Sequence, residues 1–277
     1  MRVIRSETER SQPPVAHGAP ERIVSLVPSH TETLHALGLS DRVVGRTRFC
    51  IHPKPWVETV PVVGGTKDAK VEKVLAQQPD LVVADKDENP KALVEALQAA
   101  GVEVLWSEID TVADAAAFVD RLGSRCGVPE AGARWAERIT GAKADVSRTA
   151  SLWQPVPIFC PIWHDPWMTF DRTAYPSAML EAVGLRNAFA DHAGPKYFEV
   201  SVNEVARSAA VWTLLPTEPF PFHKRREAVE TWELGAAGRG DRVKVIDGEA
   251  LTWFGVRTVE GLRVLKDVAG QMRTTLA

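Results

Sequence analysis

The chain has 277 residues, of which 45% are hydrophobic and 25% charged, and its formal net charge is −3. That length exceeds what one hydrophobic core normally supports, so two domains of ordinary globular composition are expected. The small negative net charge means that the chain has no excess of basic residues. This excludes nucleic acid and an anionic membrane surface as partners.

The first 21 residues are predicted to form an N-terminal extension. They are rich in charge, contain adjacent prolines and hold no apolar run that could form the core of a signal peptide. No later segment has the roughly 20 apolar residues of a membrane span, so the protein is not expected to be membrane-inserted. The sequence therefore predicts a cytoplasmic protein, or a periplasmic or cell-envelope protein if a leader is missing from this chain.

The next hundred residues alternate between strand and helix patterns. A β-prone run at residues 22–27 precedes a helix in which Ser29 and Glu32 have the spacing of a capping box. A second strand is predicted at residues 41–47, a helix at 90–100 closed by Gly101, and a further strand at 102–106. This alternation predicts an α/β fold with a mostly parallel sheet flanked by helices, as in Rossmann-like domains.

A single long helix is predicted to follow this first lobe. Pro129 suits a first helical turn, and no proline interrupts residues 130–153. Apolar residues recur there at steps of three and four, giving one stripe along about 36 Å of helix. The predicted boundaries are therefore a first lobe at residues 22–128, a connecting helix at 129–153 and a second lobe at 154–277.

The second lobe repeats a unit of the first. Val71-Glu72-Lys73-Val74 leads into a buried strand near residues 78–84, and Val202-Asn203-Glu204-Val205 leads at the same spacing into a strand at 209–215. The remaining elements of the second lobe are strands at 156–160 and 243–246 and helices at 173–183 and 259–272. Two similar α/β lobes imply a cleft between them, where a small-molecule site is expected.

Aromatic residues are concentrated in the loops of the second lobe. Common catalytic and nucleotide-binding motifs are absent from the sequence, so no catalytic residue is assigned. Trp163, Trp167 and Trp253 stand beside other aromatic residues, and Phe220 and Phe222 lie among prolines. Loop aromatics can form a flat stacking wall for a ligand, although rings in such places also cap the edges of a core.

Two further roles stay open for the histidines and cysteines. Cys50, Cys126 and Cys160 form no C-x-x-C pair, so neither a disulfide framework nor a zinc knuckle is predicted. Cys50 and His52 could bind a soft or borderline metal ion with His164 from the other lobe. An enzyme on the same scaffold would use His52, His164 or Asp165 as its acid or base.

The order of several segments resembles the helical-backbone substrate-binding proteins of ABC importers for vitamin B12, haem and ferric siderophores. The segments are RIVSLVPSHTE from Arg22, LGL from Leu37, VEKV from Val71, WHDPWMTFD from Trp163, LLPTEPFPF from Leu214 and LTWFG from Leu251. The cobalamin-binding branch is the most similar, and the likeness extends from about Arg22 to the terminal helix.

This resemblance implies two α/β lobes joined by one long helix, a ligand in the cleft and no catalysis. It also implies docking on a permease through one glutamate per lobe, for which Glu72 matches the first, while Asn203 stands at the second position with Glu204 beside it. An exposed glutamate at a helix start is also explained by the helix dipole alone. The implied ligand contacts are Ser29, His30, Thr31, Phe49, Cys50, His52, Gly65, Thr66, Lys67, Trp163, His164, Trp167, Phe220, Trp253 and Phe254.

The expected function is thus non-catalytic binding of a metal-containing small molecule, with cobalamin or a related corrinoid first. Haem or ferric-siderophore binding, direct metal-ion binding through His52 and His164, and a cytosolic enzyme are the alternatives. The cobalt or iron belongs to the ligand, and no catalytic cofactor is expected. Delivery to an ABC permease and a cytosolic binding role both stay open.

Overall fold

A parallel five-stranded sheet forms the centre of the first lobe. The computed structural model describes residues 18–230 and 242–276. The strands are β1 (Ile23–Ser25), β2 (Val43–Thr47), β3 (Val62–Gly64), β4 (Leu81–Asp85) and β5 (Glu103–Ser107). They are arranged in the order β3-β2-β1-β4-β5, and every pairing is parallel. All five residues of β4 are buried, as expected for a strand covered on both faces.

Five helices flank this sheet: α1 (Pro28–Ala36), α2 (Trp56–Thr59), α3 (Val71–Leu75), α4 (Lys91–Ala99) and α5 (Val112–Arg125). A short 3-10 helix at Ser40–Arg42 precedes β2. Helix α4 ends two residues before Gly101, whose φ of 83° suits glycine best. Helix α5 begins at a capping box between Thr111 and Asp114.

The predicted capping box at Ser29 and Glu32 is wrong. Helix α1 begins at Pro28 with Val27 as its N-cap, and no side chain caps it. Ser29 therefore lies inside the first turn, where its hydroxyl cannot accept from the third helical N–H. Glu32 instead forms an ion pair with Arg257 of the second lobe, with Oε1 2.8 Å from the Nη2 atom.

Helix α6 (Pro129–Ala150) connects the lobes as one unbroken helix of 22 residues. It continues through Gly141, and its apolar stripe buries Ile139 and Val146. The helix ends three residues before the predicted position, and Leu152 and Trp153 beyond it are exposed.

The second lobe contains a four-stranded parallel sheet with the order β11-β10-β6-β8. Its elements in chain order are β6 (Val156–Phe159), β7 (Met168–Phe170), α7 (Tyr175–Ala182), β8 (Leu185–Asn187), β9 (Tyr197–Glu199), α8 (Val202–Arg207), β10 (Trp212–Pro216), a 3-10 helix at Phe222–Lys224, α9 (Arg226–Val229), β11 (Val243–Ile246), α10 (Gly248–Thr252) and α11 (Arg257–Leu276). Strands β7 and β9 form a separate antiparallel pair.

The predicted repeat is present in both lobes. Helix α3 begins ten residues before β4 (Val71 to Leu81), and α8 begins ten residues before β10 (Val202 to Trp212). Each of these strands has a neighbour on both sides within its sheet. The two lobes therefore share a helix-strand unit that leads to a loop at the carboxyl edge of the sheet.

One hydrophobic core continues from the first lobe into the second. It includes Val27 and Phe118 of the first lobe together with Tyr175, Phe254 and Leu265 of the second. Helix α11 packs against α6, α7 and α10 and also contacts α1. The lobes are thus held together by buried apolar contacts as well as by α6. Within the described ranges, none of the helices has both the length and the apolar character needed to cross a bilayer.

Helices α5 and α6 approach closely at two glycines. A Cβ atom on Gly123 would lie 2.7 Å from the Gly132 Cα atom, whereas a Cβ atom on Gly141 of the same helix pair would meet nothing within 4 Å. We expect Gly123→Ala to destabilise the protein by about 1–3 kcal/mol through overpacking. The matched Gly141→Ala should stabilise it by about 0.5–1 kcal/mol through helix propensity.

Urea unfolding of the two variants measures both effects. Equal free energies of unfolding for Gly123→Ala and the unmodified protein would contradict the close packing of α5 on α6.

Candidate functional site

The loops at the carboxyl ends of the first sheet face the second lobe. The loop after β2 contacts α10, since the His52 Nε2 atom lies 3.0 Å from Glu249 Oε2. The loop after β4 contacts the segment before β9, since Lys196 Nζ lies 2.9 Å from Asp87 Oδ2. We call the space between these two contacts the interlobe cleft.

The α1 side of the cleft is closed by a network of charged groups. Arg257 donates from Nε to Glu32 Oε2 over 2.9 Å, and its Nη2 atom is 3.6 Å from Glu249 Oε2. Beside this pair, the backbone N–H of Val256 donates to Thr33 Oγ1. The network is part-buried, so breaking one partner would leave a charge poorly solvated.

The opposite side of the cleft is bridged by Lys196. Its ammonium group binds both Asp87, on the loop after β4, and Asp110, on the loop after β5. The neighbouring Tyr197 hydroxyl donates to Asp87 Oδ2 over 3.4 Å. Burial, and then the carboxylates of Asp87, Glu88 and Asp85, raise the pKa of Tyr197, so it stays a neutral phenol.

A buried polar chain supports the loop after β4. Asp85 Oδ2 accepts from Ser107 Oγ over 2.6 Å, and the Ser107 hydroxyl lies 2.8 Å from His30 Nε2. Burial raises the pKa of Asp85 to about 6, while burial and then Arg121 lower the pKa of His30 to about 3. His30 is therefore a neutral imidazole that stacks on Phe118, with ring centroids 4.5 Å apart.

Three predicted contact residues in α1 are thus enclosed. Ser29, His30 and Thr31 are all buried, and the Thr31 hydroxyl donates to Ser25 Oγ over 2.8 Å and lies 3.0 Å from Cys50 Sγ. The Ser29 hydroxyl and His30 Nδ1 have no hydrogen-bond partner within the described residues. A ligand would reach these atoms only after a local rearrangement.

The Cys50 thiol is also buried. It lies 3.1 Å from Thr47 Oγ1, and burial raises its pKa, so the thiolate form needed for metal binding is disfavoured. His52 pairs with Glu249, and the His164 ring contacts Trp167 and Phe220. Across residues 18–230 and 242–276 no group of three acidic, histidine or cysteine side chains could hold a metal ion, and the metal role of His52 and His164 stays a prediction.

The predicted aromatic contacts divide into exposed and packed rings. Trp163 and Phe49 are 44% and 49% exposed, and the Arg48 guanidinium lies over the Phe49 ring at 4.8 Å from its centroid. Trp167, Phe220, Trp253 and Phe254 are each at most 9% exposed. The Trp163 ring packs edge-on against Phe220 at 5.5 Å, so the packed rings support the exposed one.

The segment Gly65, Thr66 and Lys67 is fastened to the loop after β4. The Thr66 carbonyl accepts from Asn89 Nδ2 over 2.9 Å, and Lys67 Nζ bonds the Asp87 carbonyl. Gly65 donates its N–H to Asp68 Oδ1. The two loops therefore form one continuous edge of the cleft.

Two carboxyl groups in the cleft were not assigned from the sequence. Glu88 is part-buried on the loop after β4, and burial raises its pKa. Glu218 follows β10, accepts from Thr252 Oγ1 over 3.0 Å and is also bonded by the Trp253 side chain. Burial raises the pKa of Glu218 to about 7, with the charges of Glu249 and Glu88 adding to the effect. The signal in the sequence was the acidic run after β4 and the Glu218-Pro219 turn after β10, both at strand ends.

The predicted docking residues lie at the starts of α3 and α8, and all are exposed. Glu72 is in the first turn of α3, and Asn203 is in the first turn of α8. Glu204 completes a capping box with Ser201, whose hydroxyl and N–H hold the pKa of its carboxyl below the ordinary range. Glu204 is thus engaged by its own helix, and its docking role stays a prediction.

A separate cavity lies away from the cleft. It measures about 440 Å³ and is lined by the end of α6, Val183 and the last turns of α11, including Trp153 and Arg273. It contains none of the residues predicted to contact a ligand. The loop geometry at the carboxyl ends of the strands makes the interlobe cleft the stronger candidate for the functional site.

The sequence profile described as "Periplasmic binding protein" matches residues 23–247. A vitamin B12-binding protein of Vibrio parahaemolyticus is 31% identical over 67% of this chain and 66% of its own length, so the match spans just under two thirds of that relative. An uncharacterized ABC transporter substrate-binding lipoprotein of Bacillus subtilis is 30% identical over 90% of this chain and 79% of its own length. These relatives are binding proteins and not enzymes, in agreement with the predicted lack of catalysis.

Solved structures share the fold. The periplasmic vitamin B12 binding protein BtuF of Vibrio cholerae superposes with a TM-score of 0.80 at 24% identity, covering 92% of this chain and 98% of the other. The periplasmic heme-binding protein RhuT of Roseiflexus gives a TM-score of 0.78 at 23% identity, covering 91% and 100%. The predicted two-lobed α/β fold is confirmed.

The raised pKa of Glu218 predicts a pH-dependent effect on stability. The folded protein keeps this proton to about pH 7, while an unfolded glutamate loses it near pH 4.5, so the stabilising contribution is complete below pH 4.5 and is lost as the pH rises through 7. Glu218→Gln, which cannot ionise, should therefore be more stable than the unmodified protein at pH 8 by about 1–3 kcal/mol, with little difference at pH 4.

Urea unfolding at both pH values checks this, with the exposed Glu95→Gln as the control. If Glu218→Gln changed the free energy of unfolding equally at pH 4 and pH 8, ionisation of the buried carboxyl would not destabilise the folded protein, and the prediction would be wrong.

Proposed function

The chain belongs to the periplasmic binding protein family, and from that membership we propose that it binds a metal-containing small molecule, cobalamin or a related corrinoid, in the interlobe cleft. The ligand is held without chemical change. The observation that supports this best is the pair of exposed aromatic rings, Trp163 and Phe49, on loops at the carboxyl ends of the two sheets. Such rings offer flat apolar faces to a flat macrocycle.

The binding residues fall into two groups by exposure. Phe49, His52, Thr66, Lys67, Trp163 and His164 are exposed or part-buried and can touch a ligand directly. Ser29, His30, Thr31, Cys50, Gly65, Trp167, Phe220, Trp253 and Phe254 are buried and act on the ligand by holding the cleft walls in place. The relatives named for vitamin B12 favour a corrinoid over other chelates.

Haem or a ferric chelate is the second candidate ligand. His164 lies beside the exposed Trp163 in the loop after β6, where an imidazole could supply an axial ligand to iron. An absorption spectrum of the protein titrated with haem would show an imidazole-ligated band in this case, and a spectrum of free haem would exclude it.

Delivery to an ABC permease outside the cytoplasm is the proposed role. Glu72 and Asn203 occupy corresponding exposed positions on α3 and α8, so both lobes can touch one partner. With Asn203 in place of an acid, the second contact is a hydrogen bond and not an ion pair. A reporter fused to the C-terminus of the full coding sequence tests the location: export supports the role, and retention in the cytoplasm contradicts it.

The test of ligand binding is titration with cyanocobalamin followed by its visible spectrum. We expect Trp163→Ala to lose about 1–3 kcal/mol of binding free energy, because a stacked aromatic ring contributes about that much. Its fold should be unaffected, since the ring is 44% exposed. Trp253→Ala should lose folding stability as well as affinity, because the Trp253 ring is buried, with 7% of its surface exposed.

Trp153 is the matched control. It is 57% exposed but lies beyond the end of α6, away from the cleft, so Trp153→Ala should bind as the unmodified protein does. Equal affinities for the Trp163 and Trp153 variants would rule out stacking on Trp163.

A further inference from the structure

The cavity between α6 and α11 lies away from the interlobe cleft and has no role in the function proposed above. Its volume of about 440 Å³ is within the range of small-molecule sites. Its apolar wall is formed by Val146 and Ala150 of α6, by Val183 after α7 and by Trp153. Val146 and Val183 are buried, whereas Trp153 is 57% exposed. The cavity therefore offers an apolar surface that can be reached from solvent.

The Arg273 guanidinium is held in place at one edge of this cavity. Its Nη2 atom donates to the Gly184 carbonyl over 2.7 Å, and its Nη1 atom donates to the Val183 carbonyl over 3.5 Å. Gly184 has a φ of 75°, and a Cβ atom there would lie 2.6 Å from the same Nη2 atom. Because a guanidinium carries five N–H groups, these two bonds leave donors for a further acceptor.

Lys266 is a second cation in the wall of the cavity. It is exposed, and it lies two turns before Arg273 on the same face of α11. Among the described residues, neither side chain forms an ion pair with a carboxylate, and the neighbouring Asp267 pairs with Arg263. The helix dipole favours a cation in the last turn, where Arg273 lies, but this effect does not extend back to Lys266. Two positive charges therefore border the cavity without a negative charge paired to them.

Gly270 keeps the α11 side of the cavity open. A glycine inside a helix is destabilising relative to alanine, so it is normally explained by a close contact. Gly261 of the same helix has such a contact, because a Cβ atom there would lie 2.3 Å from the Ala250 carbonyl oxygen. A Cβ atom on Gly270 would meet nothing within 4 Å. The missing side chain at residue 270 thus contributes space to the cavity and not to helix packing.

We propose that this cavity binds a small amphipathic carboxylate, such as a medium-chain fatty acid, with its apolar body against Trp153 and the α6 wall and its carboxylate toward Lys266 and Arg273. A carboxylate accepts charge-assisted hydrogen bonds from a guanidinium and an ammonium group, and the apolar wall removes a hydrocarbon chain from water. The same two cations repel a positively charged amphiphile. This site is separate from the interlobe cleft, and the inference does not depend on the ligand proposed there.

The charge of the ligand is tested by titration calorimetry of the full protein with octanoate and with 1-octanol, a neutral probe of the same chain length. Octanoate should bind saturably with one molecule per protein. Lys266→Gln should weaken octanoate binding by about two- to fivefold, as is usual for a partly solvated charge pair, and leave octanol binding unchanged. Lys91→Gln, at an exposed lysine of α4, is the matched control and should change neither.

The position of the ligand is tested by Gly270→Leu. Its side chain fills the cavity, so the affinities for octanoate and octanol should both fall by at least about tenfold. Gly141→Leu is the matched control, because a Cβ atom on Gly141 also meets nothing within 4 Å and Gly141 is not in the cavity wall. Circular dichroism reports whether both variants are folded, and cyanocobalamin should bind both as it binds the unmodified protein.

Trp153→Ala gives a second test of position that removes only an exposed ring. It should weaken both probes by about two- to tenfold, the usual contribution of an aromatic contact. The cavity assignment is overturned if octanoate binding does not saturate, or if folded Gly270→Leu or Trp153→Ala binds octanoate as tightly as the unmodified protein. Equal effects of Lys266→Gln on octanoate and octanol would overturn the recognition of a carboxylate. Loss of cyanocobalamin binding alone counts against the cleft proposal and leaves this one standing.

Discussion

The two lobes are positioned by the close approach of α1 to the segment between α10 and α11. Gly255 has a φ of 75°, and a Cβ atom there would lie 2.3 Å from Thr33 Oγ1. Only a glycine satisfies both demands without strain. The ion pair between Glu32 and Arg257 lies next to this contact, and the ring of Phe254 lies 5.0 Å from His30. These contacts are buried or part-buried, and none of them involves α6. They are therefore a second connection between the lobes, and they fix the shape of the cleft.

A cleft fixed in this way can hold polar groups in poorly solvated positions, whereas in a flexible protein these groups would move into water. The chain from Asp85 through Ser107 to His30 holds the loop after β4, and Lys196 holds the same loop from the other lobe. Glu88 and Glu218 are consequently kept in a poorly solvated space, at a cost that the surrounding contacts offset. Preorganised walls reduce the ordering that a ligand must impose when it binds.

Much of this architecture could be predicted from sequence periodicity. The repeated unit of α3 with β4 and α8 with β10, and the long α6, follow from local apolar patterns that tertiary contacts reinforce. The role of Ser29 and Glu32 could not be predicted, because Pro28 takes the first helical position and Glu32 has a partner 225 residues away. Glu88 and Glu218 stand directly after strands in the sequence, but nothing local indicates that burial raises the pKa of both carboxyls. Whether a loop tryptophan is exposed, as Trp163 is, or packed, as Trp167 is, also depends on distant neighbours.

A crystal structure of the protein grown with cyanocobalamin tests the central claim, a preformed ligand site between the lobes. With such a site we expect a corrin ring beside Trp163 and Phe49, an unbroken α6 and an intact ion pair between Glu32 and Arg257. Density for the corrin in the cavity between α6 and α11, or a complex in which the Gly255 contact with Thr33 has opened, would contradict it.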